Sequence, residues 1–315
     1  MRTTAEQDAA IAAAREQRYE TRRPTVPALD EILFDVLPVL DHGFVRVIDY
    51  MGDDAAIVQA ARVSYGRGTK RVNEDRGLIR YLMRHHHTTP FEMCELKLHC
   101  KLPIFVARQM IRHRTANVNE YSGRYSVLDR EFYVPPIDAL GVQSSGNRQG
   151  RADTLEAQHA ARVLELLKDD AARCYDHYQE LLNEADDGRP LRPDEPGLAR
   201  ELARINLTLG FYTQWYWKID LHNLFHFMQL RADPHAQEEI RAYARVIGDV
   251  VRRWVPMAWE AFVDFRLEAM TLSRAEREAL RCMLAGDTPD LAALGLSKRE
   301  QEELRAKLGG KKEPH

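Results

Sequence analysis

The chain of 315 residues carries 45 Lys and Arg against 48 Asp and Glu, a formal net charge of −3, so no global basic excess argues for a nucleic-acid surface. With 44% hydrophobic and 30% charged residues it is neither disordered nor membrane-spanning, since no run of about 18 apolar residues occurs. The length suffices for one large domain or two ordinary ones.

Residues 1–40 read as an extension. Thr4 to Arg18 predicts a short helix that Pro24 and Pro27 stop. Met1 to Arg23 has no apolar leader core and carries Glu6, Asp8, Glu16 and Glu20, which argues against a secretory or transit segment. Phe44 to Tyr50 alternates as a strand, Asp54 to Val63 reads as a helix, and Asn73 can cap the next one, with Leu78, Ile79, Leu82 and Met83 on one face. Thr89-Pro90-Phe91-Glu92 has the form of a capping box. Leu96, Leu98, Cys100 and Leu102 alternate with polar residues as a half-buried strand, and Pro103 opens a helix to about Arg112.

Arg114 to Ser126 is a polar stretch, Phe132 to Val134 a short strand, and Gly141 to Asp153 a flexible loop by composition. Helices are expected over Thr154 to Ala185, Leu198 to Trp217, Leu221 to Leu230, His235 to Trp254 and Pro256 to Ala269. The fold class is therefore α+β: a helix-rich domain over 41–270 with an interrupted, mainly antiparallel sheet, not a doubly wound one. Residues 271–315 form a helical C-terminal extension. In it, Leu272 to Leu284 and Leu296 to Leu308 repeat each other, both opening on Ser-x-x-Glu. The repeat is either two similarly capped amphipathic helices or a duplicated packing appendage.

Cys94, Cys100, Cys174 and Cys282 form no C-x-x-C pair and match no zinc module, which points to reducing cytosol and a cytoplasmic protein. No glycine-rich dinucleotide loop or Walker loop is present, so a nucleotide would need another device.

Chemistry concentrates between Arg108 and Tyr125, where Arg108, Arg112, Arg114 and Arg124 face Glu120 alone. Arginine forks suit phosphate. The alternative is a solvated basic face or arginines paired with helical acids. His222 and His226 share a helix face, yet no H-E-x-x-H form or third ligand accompanies them, so no metal is expected. The run His85-His86-His87 resembles a metal site, or a face toward a ligand through His87. The aromatic run Phe211, Tyr212, Trp215, Tyr216 and Trp217 reads as helix core or subunit interface rather than a stacking site.

Arg112-His113-Arg114 followed after seven residues by Ser122 resembles the RHR-x7-S signature of the flavin-dependent thymidylate synthases, with Asn119, Glu120, Ser122, Arg124 and Tyr125 in register. Asn117 stands where the family usually has Ser. Ala61 to Tyr65, Thr89 to Glu92, Pro103 to Gln109 and Leu230 to Gln237 resemble family blocks in the same order, so the likeness runs from about residue 40 to 269. The resemblance implies that dUMP becomes dTMP, with methylenetetrahydrofolate as carbon donor and NADPH as hydride source through FAD, in a homotetramer with shared sites. Its partners would be dUMP, NADPH, folate and copies of itself, with no nucleic acid and no membrane.

By the same resemblance, dUMP would be met by Gln109, Met110, Ile111, Arg112, Glu120, Tyr121, Ser122, Gly123, Arg124, Arg204 and Arg231. FAD would be met by Thr89, Arg112, His113, Arg114, Glu120, Asp220, Leu221, His222 and His226. Arg231 would be the catalytic residue, favouring ionised uracil N3 because a fixed guanidinium lowers the cost of negative charge on the ring. No cysteine nucleophile is implied. Ser122 lacks an evident base and suits dUMP positioning better than attack. A flavin-dependent reductase without methyl transfer and a non-catalytic nucleotide-binding protein are the rival readings.

Overall fold

The computed structural model describes residues 3–63, 72–144 and 150–309. It divides into two compact units, Met1–Glu260 and Ala261–His315. The strands, in chain order, are β1 (Leu37–Val39), β2 (Gly43–Met51), β3 (Glu95–Pro103), β4 (Asn117–Glu120), β5 (Gly141–Gln143), β6 (Arg151–Thr154) and β7 (Tyr212–Asp220). The main helices are α1 (Ala5–Glu16), α2 (Pro27–Asp30), α3 (Asp54–Val63), α4 (Val72–Arg84), α5 (Thr89–Glu92), α6 (Ile104–Met110), α7 (Ala157–Leu182), α8 (Arg200–Ala203), α9 (Leu221–Arg231), α10 (Glu238–Trp254), α11 (Pro256–Phe262), α12 (Arg274–Leu284) and α13 (Lys298–Leu308).

The first unit is built on a five-stranded sheet in the order β1-β2-β3-β7-β4, antiparallel throughout. In β3 the expected alternation holds as far as Cys100, with Leu96, Leu98 and Cys100 fully buried and Lys97 and His99 half-exposed, and then breaks, because Lys101 is buried as well. In β2 the register shifts between Val47 and Asp49. One extra residue reverses the facing of every later side chain, which is why Val47 and Tyr50, rather than Val47 and Asp49, point inward. Helices α6, α9 and α10 cover the inner face, with Trp217 of β7 packed edge-on to Phe227 of α9 at 5.0 Å. Gly43 admits no side chain, because a Cβ there would stand 2.1 Å from the Tyr243 hydroxyl, which donates to the Lys101 carbonyl at 2.6 Å.

Several expectations change. The helix expected over Leu198 to Trp217 is only α8 followed by a 3₁₀ turn, and the aromatic run belongs to β7. There Trp215, Trp217 and Ile219 alternate inward against Gln214, Tyr216 and Lys218, a period of two that suits aromatic and β-branched residues on a sheet. The polar stretch after Arg114 contains β4, and the loop expected over Gly141 to Asp153 contains the paired strands β5 and β6. Thr89 is the first residue of α5 rather than its cap; Thr88 precedes it and no side-chain cap bond forms. Asn73 lies inside α4, and its side chain is outside the described residues. The helix expected to reach Ala269 passes into a π turn at Val263–Leu267. Part of the expected extension, β1, pairs with β2.

In the second unit, Ser273 and Ser297 each complete a capping box, with Glu276 and Glu300. Ala279, Leu291, Leu296 and Leu304 close a small core between α12 and α13.

Candidate active site

The signature segment begins where α6 runs out. Val106, Ala107 and Met110 bury one side of that helix, and the Arg112 and His113 amides bond back to the Gln109 and Met110 carbonyls. This turn sends alternate side chains apart. His113 is buried, while Ile111, Arg112 and Arg114 are exposed. Among the described residues, Arg108, Arg112 and Arg114 enter no ion pair, so the reading in which these arginines serve helical acids fails for them.

His113 packs edge-on against Phe227 at 5.6 Å and His226 at 5.4 Å. One ring nitrogen, Nε2, lies 3.1 Å from Thr115 Oγ1. Burial, and then the neighbouring His226, lower the His113 pKa from its ordinary value. The buried ring sits in the turn from which Arg112 and Arg114 stand exposed.

The partner helix α9 starts at Asp220. Its carboxylate accepts from the Asn223 amide at 2.9 Å and from Asn223 Nδ2 at 2.6 Å, capping the helix. Leu221 is fully buried, His222 half-buried and His226 exposed. Phe91 of α5 meets Phe225 at 6.3 Å, which brings the Thr89 end of α5 to this helix. At the far end of α9, Arg231 Nη2 donates to the Gln109 carbonyl at 3.4 Å, and Arg231 Nε is buried without a hydrogen-bond partner.

The rest of the segment follows the sheet edge. β4 pairs with β7, Glu120 accepts from Thr213 Oγ1 at 2.8 Å, and the Tyr121 amide bonds to the Gln214 carbonyl at 2.7 Å. The chain then turns on Ser122, whose Oγ accepts from the Arg124 amide at 3.3 Å. Gly123 is buried, and a Cβ there would touch Arg204 Cδ at 3.4 Å, so Arg204 lies against it. Arg124 pairs with Glu201 at 3.3 Å on the surface. Thr213, beside Glu120, and Asp220 are seven residues apart on β7, about 23 Å at 3.3 Å per residue. The residues expected at the flavin therefore spread along a strand's length. Met110 and Leu221 are fully buried, so they can offer a ligand only main-chain atoms.

Sequence reasoning missed Thr213 and Glu239 as supports of this group; each meets a partner distant in sequence, Glu120 and Arg151. Among the described residues no group of three or more His, Cys, Asp or Glu is arranged to hold a metal. Tyr81 stacks on His87 at 5.9 Å and tilts toward His85 at 4.4 Å. Cys94 and Cys100 are buried, and burial pushes both thiols up to about 12.

Residues 46–257 match the family model described as thymidylate synthase complementing protein. The chain belongs to the flavin-dependent thymidylate synthase family. The flavin-dependent thymidylate synthase of Gluconobacter oxydans is 62% identical over 288 residues, covering 91% of this chain and 92% of that protein. That of Ruegeria pomeroyi is 61% identical over 287 residues, with 91% and 92% covered. Among solved structures, a UMP/dUMP methylase from Streptomyces cacaoi bound with 5-Br dUMP is similar at a TM-score of 0.63 and 30% identity, over 73% of this chain and 99% of that one. The helix-rich fold with an antiparallel sheet is similar to that of this UMP/dUMP methylase. Within the family match fall β7 and the whole segment Arg108 to Tyr125. No helix among the described residues is long and apolar enough to cross a membrane.

Proposed function

We propose that this enzyme reductively methylates dUMP to dTMP, with 5,10-methylenetetrahydrofolate giving the carbon and NADPH the hydride through FAD. The observation that carries the reading is Arg231. Its guanidinium is tethered to Gln109, and its Nε is buried without a partner. A buried unpaired donor costs about 1–3 kcal/mol unless something accepts from it. A pyrimidine ring carrying negative charge is such an acceptor.

The same orphaned donor and the unpaired, exposed arginines fit an anionic nucleotide and a flavin dinucleotide. Arg112, Glu120, Ser122, Gly123, Arg124 and Arg204 would hold dUMP, with Tyr121 and Ile111 beside them, while Arg112, Arg114, Thr89, Glu120, His222 and His226 would hold FAD. His113 and Asp220 act by fixing their neighbours. When bound, the flavin supplies two-electron transfer. Arg231 lowers the cost of an ionised N3, which makes C5 of the ring a nucleophile toward the one-carbon unit. No thiol attack is needed, and both buried thiols are held protonated. The spread of Glu120, opposite Trp215, from Asp220, about 17 Å along β7 at 3.3 Å per residue, and the outward Arg112 and Arg114 support a homotetramer in which copies complete each other's sites.

Purified protein should be yellow, bleach with NADPH, and form dTMP only when dUMP and methylenetetrahydrofolate are both added. A colourless protein with no affinity for dUMP would overturn the proposal. UMP is the comparison substrate, because the structural relative is a UMP/dUMP methylase.

A further inference from the structure

A carboxylate with almost no exposure stands behind the site. Glu239, in the first turn of α10, is 1% exposed. Arg151 of β6 pairs with its Oε1 at 2.5 Å, and the Tyr133 hydroxyl donates to the same oxygen at 3.2 Å. Arg151 holds the carboxyl ionised against the opposing effect of burial, and its pKa is lowered from the ordinary value. The other oxygen, Oε2, accepts from Gln237 Nε2 at 2.8 Å. Gln237 Oε1 in turn accepts from Gln109 Nε2.

The order of donors in this chain is forced by charge. An ionised carboxylate has no hydrogen to give, so the amide end of Gln237 that meets it must be the NH2 group. The end of Gln237 facing Gln109 is then an oxygen, and Gln109 must answer with its own NH2. The side-chain oxygen of Gln109 is what remains. Its main-chain oxygen is already taken by Arg231. Without the charge on Glu239, both amides could turn over together and present the opposite group.

We infer that Glu239 is a positioning residue that, through Gln237, turns the amide of Gln109 so that an acceptor oxygen faces a donor group of the nucleotide. This rests on the reading of Gln109 as a dUMP contact. The β5–β6 hairpin belongs to the device, because Arg151 is its only cation on Glu239 among the described residues. The two glutamines lie 128 residues apart in sequence.

The test uses flavin-loaded, full-length enzyme. Glu239→Gln frees the amides to turn and should raise the KM for dUMP about tenfold, the scale of one misdirected hydrogen bond, with kcat changed little. Gln237→Met breaks the chain while leaving Glu239 with Arg151, and should do the same. Gln109→Glu alone sets a carboxylate at both ends of Gln237, which has one NH2 to give, and should also raise KM. Joining Gln109→Glu to Glu239→Gln lets the order run backwards and still offers an acceptor oxygen at residue 109. That double variant should recover much of the lost affinity. An unchanged KM in both Glu239→Gln and Gln237→Met, or additive losses in the double variant, would overturn the inference. A parent enzyme that binds no dUMP would instead overturn the reading of the site, and the inference with it.

Discussion

Arg231 reaches across from the end of α9 to the main chain of Gln109, its Nη2 donating to that carbonyl at 3.4 Å while its Nε stays buried and unpartnered. A guanidinium held by one arm, with another donor unused, is set for a ligand rather than for the fold. Removing it should affect chemistry far more than stability.

Arg231→Ala is expected to lower kcat for dTMP formation about 10²–10³-fold, the effect of deleting one aimed donor at developing charge. The flavin should stay bound, read from its visible absorbance. Arg231→Lys should fall between, since an ammonium keeps the charge without the fork. Loss of flavin with dUMP handling intact would contradict the assignment.

Changing each cysteine to serine should leave dTMP formation in place. The cost should be in stability, about 1–3 kcal/mol for Cys94→Ser or Cys100→Ser, because a hydroxyl would be buried in an apolar site. Denaturant midpoints measured beside activity separate the two. Abolished turnover in one folded variant would revive thiol catalysis.

Two half-buried groups give the folded chain an uneven response to acid. Burial, with Arg46 and Lys101 adding to it and the Gln214 hydrogen bond opposing, pulls His99 down to about 4. Between pH 6.5 and 4 the unfolded chain takes a proton that the folded one refuses, so His99 makes stability fall as pH falls. Asp54 does the reverse. Burial raises it to about 6, against the Met257 and Ala258 amides that its carboxylate accepts from. Between about pH 4 and 6 the folded chain keeps a proton that the unfolded one has released, so Asp54 makes stability fall as pH rises. The two offset each other over that window, each by at most about 1.4 kcal/mol per pH unit. His99→Gln should unmask the Asp54 slope. Urea unfolding at pH 4.5 and 6.0 should then show the variant more stable at the lower pH. A profile equal to the parent's would mean that His99 is not held neutral.

In the tail unit, Leu304 is fully buried between α12 and α13, and Lys307 bonds Glu276 at 2.6 Å. Leu304→Ala should cost about 2–5 kcal/mol, enough to open so small a core. Limited proteolysis should then cut between residues 271 and 309 while the remaining enzyme still forms dTMP. Resistance equal to the parent's would show that this small core does not hold the unit together.

Local pattern was enough where the physics is local. The alternation of Leu96, Leu98 and Cys100 declares a half-buried strand, Ser273 with Glu276 declares a helix start, and the pattern of Arg112, His113, Arg114, Glu120, Ser122 and Arg124 resembles the family to which the chain belongs. Tertiary structure decided the rest. The run from Tyr212 to Asp220 could have been a buried helix; it is a strand because β3 and β4 supply hydrogen bonds on both of its edges. β4 left only a faint trace, Val118 alone among polar residues, since an edge strand with one side to water can be largely polar. Which atom of Gln109 faces the site depends on a carboxylate 130 positions later and an arginine on a separate hairpin. No nearby residue carries that information, because a hydrogen bond records only which groups the fold brings within about 3 Å of each other.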